Sequence, residues 1–252
     1  MNVTFGICLS IDINQVYINK LIKSIHSQKW EDNNYEIILI GGSDPTPLID
    51  NFTNYRYIPF DESIKSGWIT RKKNLIAQNA TYENLVIMHD YYMLGPTWYE
   101  GLKRFGNDWD IMVHRMFNLE GKRHSDWMVH ADYMRMMIEK YPGTSKDLMD
   151  VAPHENAPIY VCGLPYDVAD LTKLQYVNGA YFSCKKHVLI NTPQNENLVW
   201  GNPEDLEWAT RLMQNDYKMR FNSYSYSTSQ KPNKWHMYEM PFHLVDRLRT
   251  LI

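Results

Sequence analysis

The sequence predicts an α/β protein with a doubly wound, mixed and mainly parallel sheet flanked by helices. Three observations predict it. Short apolar runs rich in strand formers alternate with segments whose apolar residues recur at helical spacing. Several of these runs stop abruptly in Gly, Ser, Asp or His. The chain has 252 residues, enough for one large domain with a full core, two small domains being the alternative at this length.

Val3 to Leu9 reads as a first buried strand, and Ser10-Ile11-Asp12-Ile13-Asn14 is a polar break after it. Ile18, Leu21, Ile22 and Ile25 then mark a helix. Tyr35 to Ile40 is a second strand, ended by Gly41-Gly42-Ser43-Asp44-Pro45. Strand, helix and strand with a glycine stop form a βαβ unit, hence a parallel pair whose carboxyl ends share one rim, where ligands gather. That rim carries Ser10 to Asp12 and Gly41 to Asp44. Arg56 to Phe60 is a third short strand, Ile69 to Ala80 a helix, and Leu85 to Met88 a strand ending in His89-Asp90-Tyr91. Asp110 to Val113 repeats the strand pattern.

The stretch 114–174 differs: it is rich in His, Met, Tyr and Trp, with breaks at Pro142-Gly143 and Pro153. It reads as an insertion over the sheet, with a helix from Asp126 to Lys140. Residues 1–113 and 175–252 are then the two halves of one domain. Ala180 to Cys184 returns to strand, Pro203 to Asn215 is a helix with proline in its first turn, and Lys218 to Phe221 is a strand. The polar run from Ser223 to Lys234 reads as a loop. Pro241 to Ile252 reads as a short amphipathic helix.

Composition narrows the function. A net charge of −3 gives no general electrostatic grip on nucleic acid or anionic lipid. The 18 Tyr and 8 Trp suit flat ligands such as sugar faces and bases, though they serve cores equally well. The three cysteines Cys8, Cys162 and Cys184 form neither a disulfide framework nor a zinc motif, so a reducing compartment is expected. The first residues read as a strand and not as a signal sequence, and no apolar run reaches bilayer length. A cytoplasmic protein is expected, with membrane contact at most peripheral, through Leu244, Val245, Leu248 and Leu251 beside Arg247 and Arg249.

The order of motifs carries a resemblance: Gly41-Gly42-Ser43-Asp44; a basic helix with Lys73-Asn74; His89-Asp90-Tyr91; Asn178-Gly179-Ala180-Tyr181-Phe182; and Trp200-Gly201-Asn202-Pro203-Glu204-Asp205. From about Val3 to Phe221, with the middle insertion unmatched, the chain resembles the family-2-like inverting glycosyltransferases of GT-A fold. The Trp-Gly-x-x-Glu-Asp segment is its most specific piece. The chain departs from the family pattern at Gly41-Gly42, where an Asp usually precedes Gly-Ser. It departs again at His89-Asp90-Tyr91, where the Asp-x-Asp metal motif keeps an acid only at its centre.

Glycosyl transfer needs a base for the acceptor hydroxyl, stabilisation of the departing diphosphate, and alignment of the two reactants. The resemblance implies Asp205 as the base and Glu204 as its neighbour on an acceptor hydroxyl. The plain alternative is that acidic residues favour a first helical turn. Asp90 is the candidate for a divalent cation, Mn²⁺ or Mg²⁺, with His89 and His236 as further ligands. Their alternatives are a polar strand cap and structural histidines, and His243 competes with His236. Ser10, Asp12, Ser43, Asp44, Lys73 and Asn74 are candidate donor contacts, against turn chemistry and a solvated helix face. Arg71 and Lys72 read as that solvated face. Trp200, Tyr181, Asn178 and Gly179 are candidate acceptor contacts, with Trp68 and Trp127 as further aromatic platforms. Arg115, Arg123, His124 and His130 are candidates for an anionic acceptor, with solvated surface as their alternative, and Met134, Met136 and Met137 read as packing.

The expectation is an inverting hexosyltransferase-type enzyme that moves a sugar from a UDP- or GDP-linked donor to a carbohydrate or glycan hydroxyl. A degenerate nucleotide-sugar or glycan-binding relative is the alternative. A sugar-phosphate nucleotidyltransferase ranks lower, because Ser10 to Asn14 lacks the glycine-rich basic loop that it needs.

Overall fold

The structure is a computed structural model that describes residues 1–32, 34–49, 54–126, 128–130, 161–163, 166, 177–215, 217–232 and 238–239. The first half alternates strand and helix as its apolar pattern dictates: β1 (Val3–Cys8), α1 (Gln15–His26), β2 (Tyr35–Gly41), β3 (Arg56–Pro59), α2 (Ile69–Asn79) and β4 (Asn84–His89). Asn14 caps α1 by accepting from the Val16 and Tyr17 N–H groups, and Ile18, Leu21, Ile22 and Ile25 form its buried face. There follow β5 (Tyr92–Leu94), α3 (Trp98–Phe105), β6 (Ile111–Phe117), β7 (Met128–His130), β8 (Val161–Gly163), β9 (Tyr181–Lys185), α4 (Lys186–Asn191), α5 (Glu204–Gln214), β10 (Met219–Ser229) and β11 (Tyr238–Glu239).

Eight strands form the main sheet in the order β3-β2-β1-β4-β9-β6-β10-β5, and β11-β8-β7 form a small second one. The run β3-β2-β1-β4 is parallel, β9 is antiparallel to both β4 and β6, and β10 is parallel to β6. The sheet is therefore mixed and mainly parallel, as the alternating pattern predicts. Successive residues of each central strand enter opposite layers. Ile37, Leu39, Val86 and Met88 join α1 and α3 in one core. Ile38, Ile40, Leu85 and Ile87 join α2, α4 and α5 in the other. Both faces are covered, so these strands read as unbroken apolar runs instead of alternating ones.

Two packing features set the height of the elements that later matter. Gly6 lies under α2, where an added Cβ would come within 2.2 Å of Ile76 Cγ2. In α5, Trp208 is fully buried and donates its indole N–H to the Thr192 carbonyl at 2.7 Å. Truncating such a side chain costs about 3–5 kcal/mol.

The second half departs from the sequence reading at several places. β6 runs on to Phe117. The segment from Ser223, expected as a loop, continues β10 as far as Ser229. The reason is a period-two pattern hidden by polarity: Ser225, Ser227 and Ser229 are buried small residues, and Tyr224 and Tyr226 alternate with them. A register shift against β6 between Asn222 and Tyr226 also breaks the simple pattern. Thirdly, β5, α3 and α4 are short elements that no sequence signal had marked. Residues 128–130, expected within a helix from Asp126 to Lys140, instead form β7, paired antiparallel with β8; the rest of that expected helix beyond Asp126, Trp127, Met134, Met136, Met137, His236, His243 and the C-terminal helix lie outside the described residues. No helix among the described residues is long and apolar enough to cross a membrane.

Candidate functional site

The carboxyl ends of β1, β2 and β4 meet on one rim, since their registers pair Cys8 with both Ile40 and His89. Ser10 and Asp90 meet there. Asp90 accepts the Ser10 N–H at 2.8 Å and the Ser10 hydroxyl at 2.8 Å, one on each carboxylate oxygen. Burial pushes the Asp90 carboxyl above its usual range, against the pull of these two hydrogen bonds and of Lys231 and Lys72. His89 is pushed down to about 3, by burial first and then by the ammonium groups of Lys73, Lys231 and Lys72. It is therefore neutral at physiological pH.

Three ammonium groups thus act on this strand end, and they come from two distant parts of the chain. Lys72, read from sequence as solvated, is only 4% exposed; it donates to the Leu9 carbonyl at 3.1 Å and pairs with Glu62. The close seat of α2 on the sheet accounts for its burial. Lys73 is fully buried, its Nζ lacks a hydrogen-bond partner, and it lies 5.9 Å from the Phe182 ring centroid. Lys231, which the sequence reading missed, places its Nζ 4.1 Å from the Tyr91 ring centroid. Its position is fixed by Gln230, whose N–H donates to the Tyr91 carbonyl at 2.8 Å and whose side chain donates to the Tyr17 carbonyl at 3.0 Å. Its sequence signal was the strand preceding it, disguised as a polar loop.

Facing this strand end is the start of α5. The Asp205 carboxylate accepts the Gly179 N–H at 3.2 Å on one oxygen and the Leu206 N–H at 2.9 Å on the other. These donors and the helix dipole hold it as an oriented acceptor. Glu204 is buried beside it, with Oε1 3.9 Å from Lys73 Nζ, an ion pair too long to be a hydrogen bond. Burial raises the Glu204 carboxyl above its usual value, Lys73 lowers it, and Asp205 raises it. Gly179 is the junction: an added Cβ would stand 3.2 Å from each of Asp205 Cβ, Glu204 Oε1 and Lys73 Nζ. A side chain here would press on all three groups, so glycine suits this close meeting of charges at one backbone. Asn178 shapes the turn by accepting the Ala180 N–H at 2.7 Å.

The other expected residues divide. Trp200 is 72% exposed, anchored through its N–H to the Gly67 carbonyl at 2.8 Å, and so offers a free aromatic face four residues before Glu204. Tyr181, expected as an acceptor contact, is instead core: it is 1% exposed, stacks on Tyr92 and accepts the Trp98 indole N–H at 2.8 Å. Its place in β9 turns it into the sheet's other face. Asn74, expected at the donor, has its amide taken up elsewhere. It donates to the Gln194 carbonyl and to Glu196, and accepts the Gln194 N–H, all at 2.9 Å. It ties α2 to the segment leading to Trp200. Ser43 and Asp44 are exposed at the end of β2, where Asp44 accepts the Thr46 N–H at 2.9 Å, which is turn chemistry. Asp12 is exposed beyond β1. Trp68 donates to the Glu196 carbonyl at 2.7 Å. Arg123 is structural, bonded to buried Asp126 at 2.6 Å.

Asp90 and His89, the described members of the expected cation site, stand together at the end of β4. Both Asp90 oxygens are hydrogen-bonded to Ser10, and the lysines Lys72 and Lys231 act on it, Lys72 being itself paired with Glu62. No group of three His, Cys, Asp or Glu suited to a metal ion occurs among the described residues. His236, the expected outer ligand, lies outside them.

No family model matches the chain, and no curated protein does. Solved structures do match. Staphylococcus aureus TarS 1–349 in complex with UDP superposes with a TM-score of 0.56 at 12% identity, over 90% of this chain and 60% of that one. Its complex with UDP-GlcNAc gives 0.57 at 14%, over 92% and 60%. Against longer TarS coordinates the score is 0.55 at 13%, with 37% of that chain covered. The chain thus spans about three fifths of the length of TarS 1–349. At such identity the likeness establishes architecture alone: this is a GT-A-like, glycosyltransferase-type α/β fold.

Proposed function

We propose that the protein is an inverting, nucleotide-sugar-dependent glycosyltransferase of hexosyltransferase type, acting on a carbohydrate or glycan hydroxyl. One observation carries this reading. A carboxylate held by two backbone N–H groups, Asp205, stands beside the closely packed Gly179, next to the buried Lys73 and the end of β4. The fold shared with structures that hold UDP and UDP-GlcNAc supports the donor class.

In this mechanism the donor's nucleoside rests on the rim of β1 and β2, near Ser10, Asp12, Ser43 and Asp44, with its diphosphate at the end of β4. Trp200 stacks an acceptor sugar, and Glu204 orients a hydroxyl. Asp205 takes the proton of the attacking hydroxyl as that oxygen bonds to the anomeric carbon from the face opposite the diphosphate. The bond from that carbon to the phosphate oxygen breaks, and its electron pair leaves with the nucleoside diphosphate. No step is routed through a metal ion.

The test is a panel of UDP- and GDP-sugars, read first as thermal stabilisation and then as acceptor-dependent release of nucleoside diphosphate. Stabilisation and release together are expected. Stabilisation without release for any acceptor favours a catalytically silent binding protein, which the unusual strand end motivates. No stabilisation by any donor rejects the reading.

A further inference from the structure

The strand end of β4 pairs a hydrogen-bonded carboxylate with an exposed ammonium, Lys231, that is placed to meet an anion such as a diphosphate. The carboxylate, Asp90, is buried and already accepts two hydrogen bonds from Ser10. Around it stand Lys72, whose charge is answered by Glu62, and two lysines whose charges are less fully answered. Lys73 is fully buried without a hydrogen-bond partner, and Glu204 approaches it no closer than 3.9 Å. A buried ammonium with unmet donors is costly unless an acceptor arrives. Lys231 is exposed over the Tyr91 ring, with no carboxylate paired to it among the described residues. The Gln230 hydrogen bonds to Tyr17 and Tyr91 fix the backbone that carries it, so it is not a wandering surface lysine. Lysine binds phosphate as a point charge with three donors.

Resting on the donor reading above, we propose that Lys231 neutralises the donor's diphosphate in place of a divalent cation, with the buried Lys73 adding its charge from α2. As the anomeric carbon–oxygen bond breaks, its electron pair stays on the phosphate oxygen. The exposed Lys231 ammonium meets that growing charge through charge-assisted hydrogen bonds, Lys73 acts on it through space only, and the acceptor proton goes to Asp205. No proton passes from lysine, and no metal enters the balance. Lys231 follows the end of β10, whereas Asp205 comes from α5, so the two halves of the reaction depend on separate elements.

The experiment is calorimetric titration of the full chain with UDP and GDP, and with uridine and guanosine as probes lacking phosphate. Each is run in EDTA and again in MnCl₂ or MgCl₂. The nucleoside diphosphate that binds is expected to do so equally well in EDTA. Lys231→Ala should weaken it about tenfold while leaving nucleoside binding unchanged, and Lys231→Arg should restore most of the loss, as expected for a charge-assisted contact. A purely structural role for Lys231 would weaken nucleoside and diphosphate alike. Diphosphate binding that appears only with Mn²⁺ or Mg²⁺, or that ignores Lys231→Ala, overturns the proposal and leaves the donor reading standing. Failure of both nucleoside diphosphates to bind under either condition overturns the two together.

Discussion

The two sides of the site are built by opposite means. On the acceptor side, Asp205, Glu204 and Gly179 come from two short segments, and the key carboxylate is fixed by backbone N–H groups. On the donor side, Ser10, Lys73, Asp90 and Lys231 come from four separate elements, and side-chain charges dominate. A group that accepts a proton must be oriented within a fraction of an ångström, which backbone does well. A group that answers a spreading anionic charge needs sign and proximity more than angle, which ammonium groups supply. If that division is real, substitutions on the two sides should separate turnover from donor binding.

The largest break is expected from Asp205→Asn. It should lower transfer by about 10³-fold, within the range for a positioned base, with donor affinity intact. Turnover and calorimetry on the same variant check this, and retained turnover would remove Asp205 from the chemistry. Gly179→Ala comes next, since its methyl group presses on both sides at once. A shift of the reacting groups should cost about 10²-fold in kcat. Equal losses in donor affinity and turnover would show that the two sides are not separable. Trp200→Ala should raise the acceptor KM about tenfold, roughly 1.4 kcal/mol, and leave the thermal midpoint unchanged because the ring stands mostly in solvent. A fall in midpoint would instead make it a packing residue.

The smallest effect concerns Glu204 and pH. Burial raises its carboxyl above the unfolded value, so the folded state keeps a proton that the unfolded chain has already released. Stability from this group is present below the unfolded glutamate pKa and is lost as pH rises toward the folded one. Glu204→Gln should flatten that slope in denaturant titrations across the acid range; an unchanged slope would place the titration elsewhere.

What the sequence made legible follows the same division. The βαβ layer and the Glu204-Asp205 segment are local patterns: period, glycine stops, and acids in a first turn. The parallel rim and the doubly covered sheet came from those alone. Lys231 was not legible, because it becomes meaningful only when β10 lies beside β6 and its end reaches Tyr91. The strand itself was disguised, since serines fill its buried positions where Val or Ile would have advertised it. Lys72 misled for the opposite reason. A lysine in a basic run looks solvated, yet a carboxylate from the preceding loop, Glu62, meets it under the rim. Tyr181 likewise stood beside the right motif but on the wrong face of its strand, a parity that the motif alone does not reveal.

Gly6 governs the reach of these charges. A lysine stem has a fixed length, so how far an ammonium projects past the strand ends depends on the stand-off between α2 and β1. With hydrogen in place of a methyl group, the helix rests almost on the strand's backbone, and Ile76 fills the gap. Enlarging residue 6 would lift α2 like a shim beneath a beam and withdraw Lys72 and Lys73 from the rim together. One buried position, with no polar atom in its side chain, thereby sets the local electric potential at the mouth of the sheet.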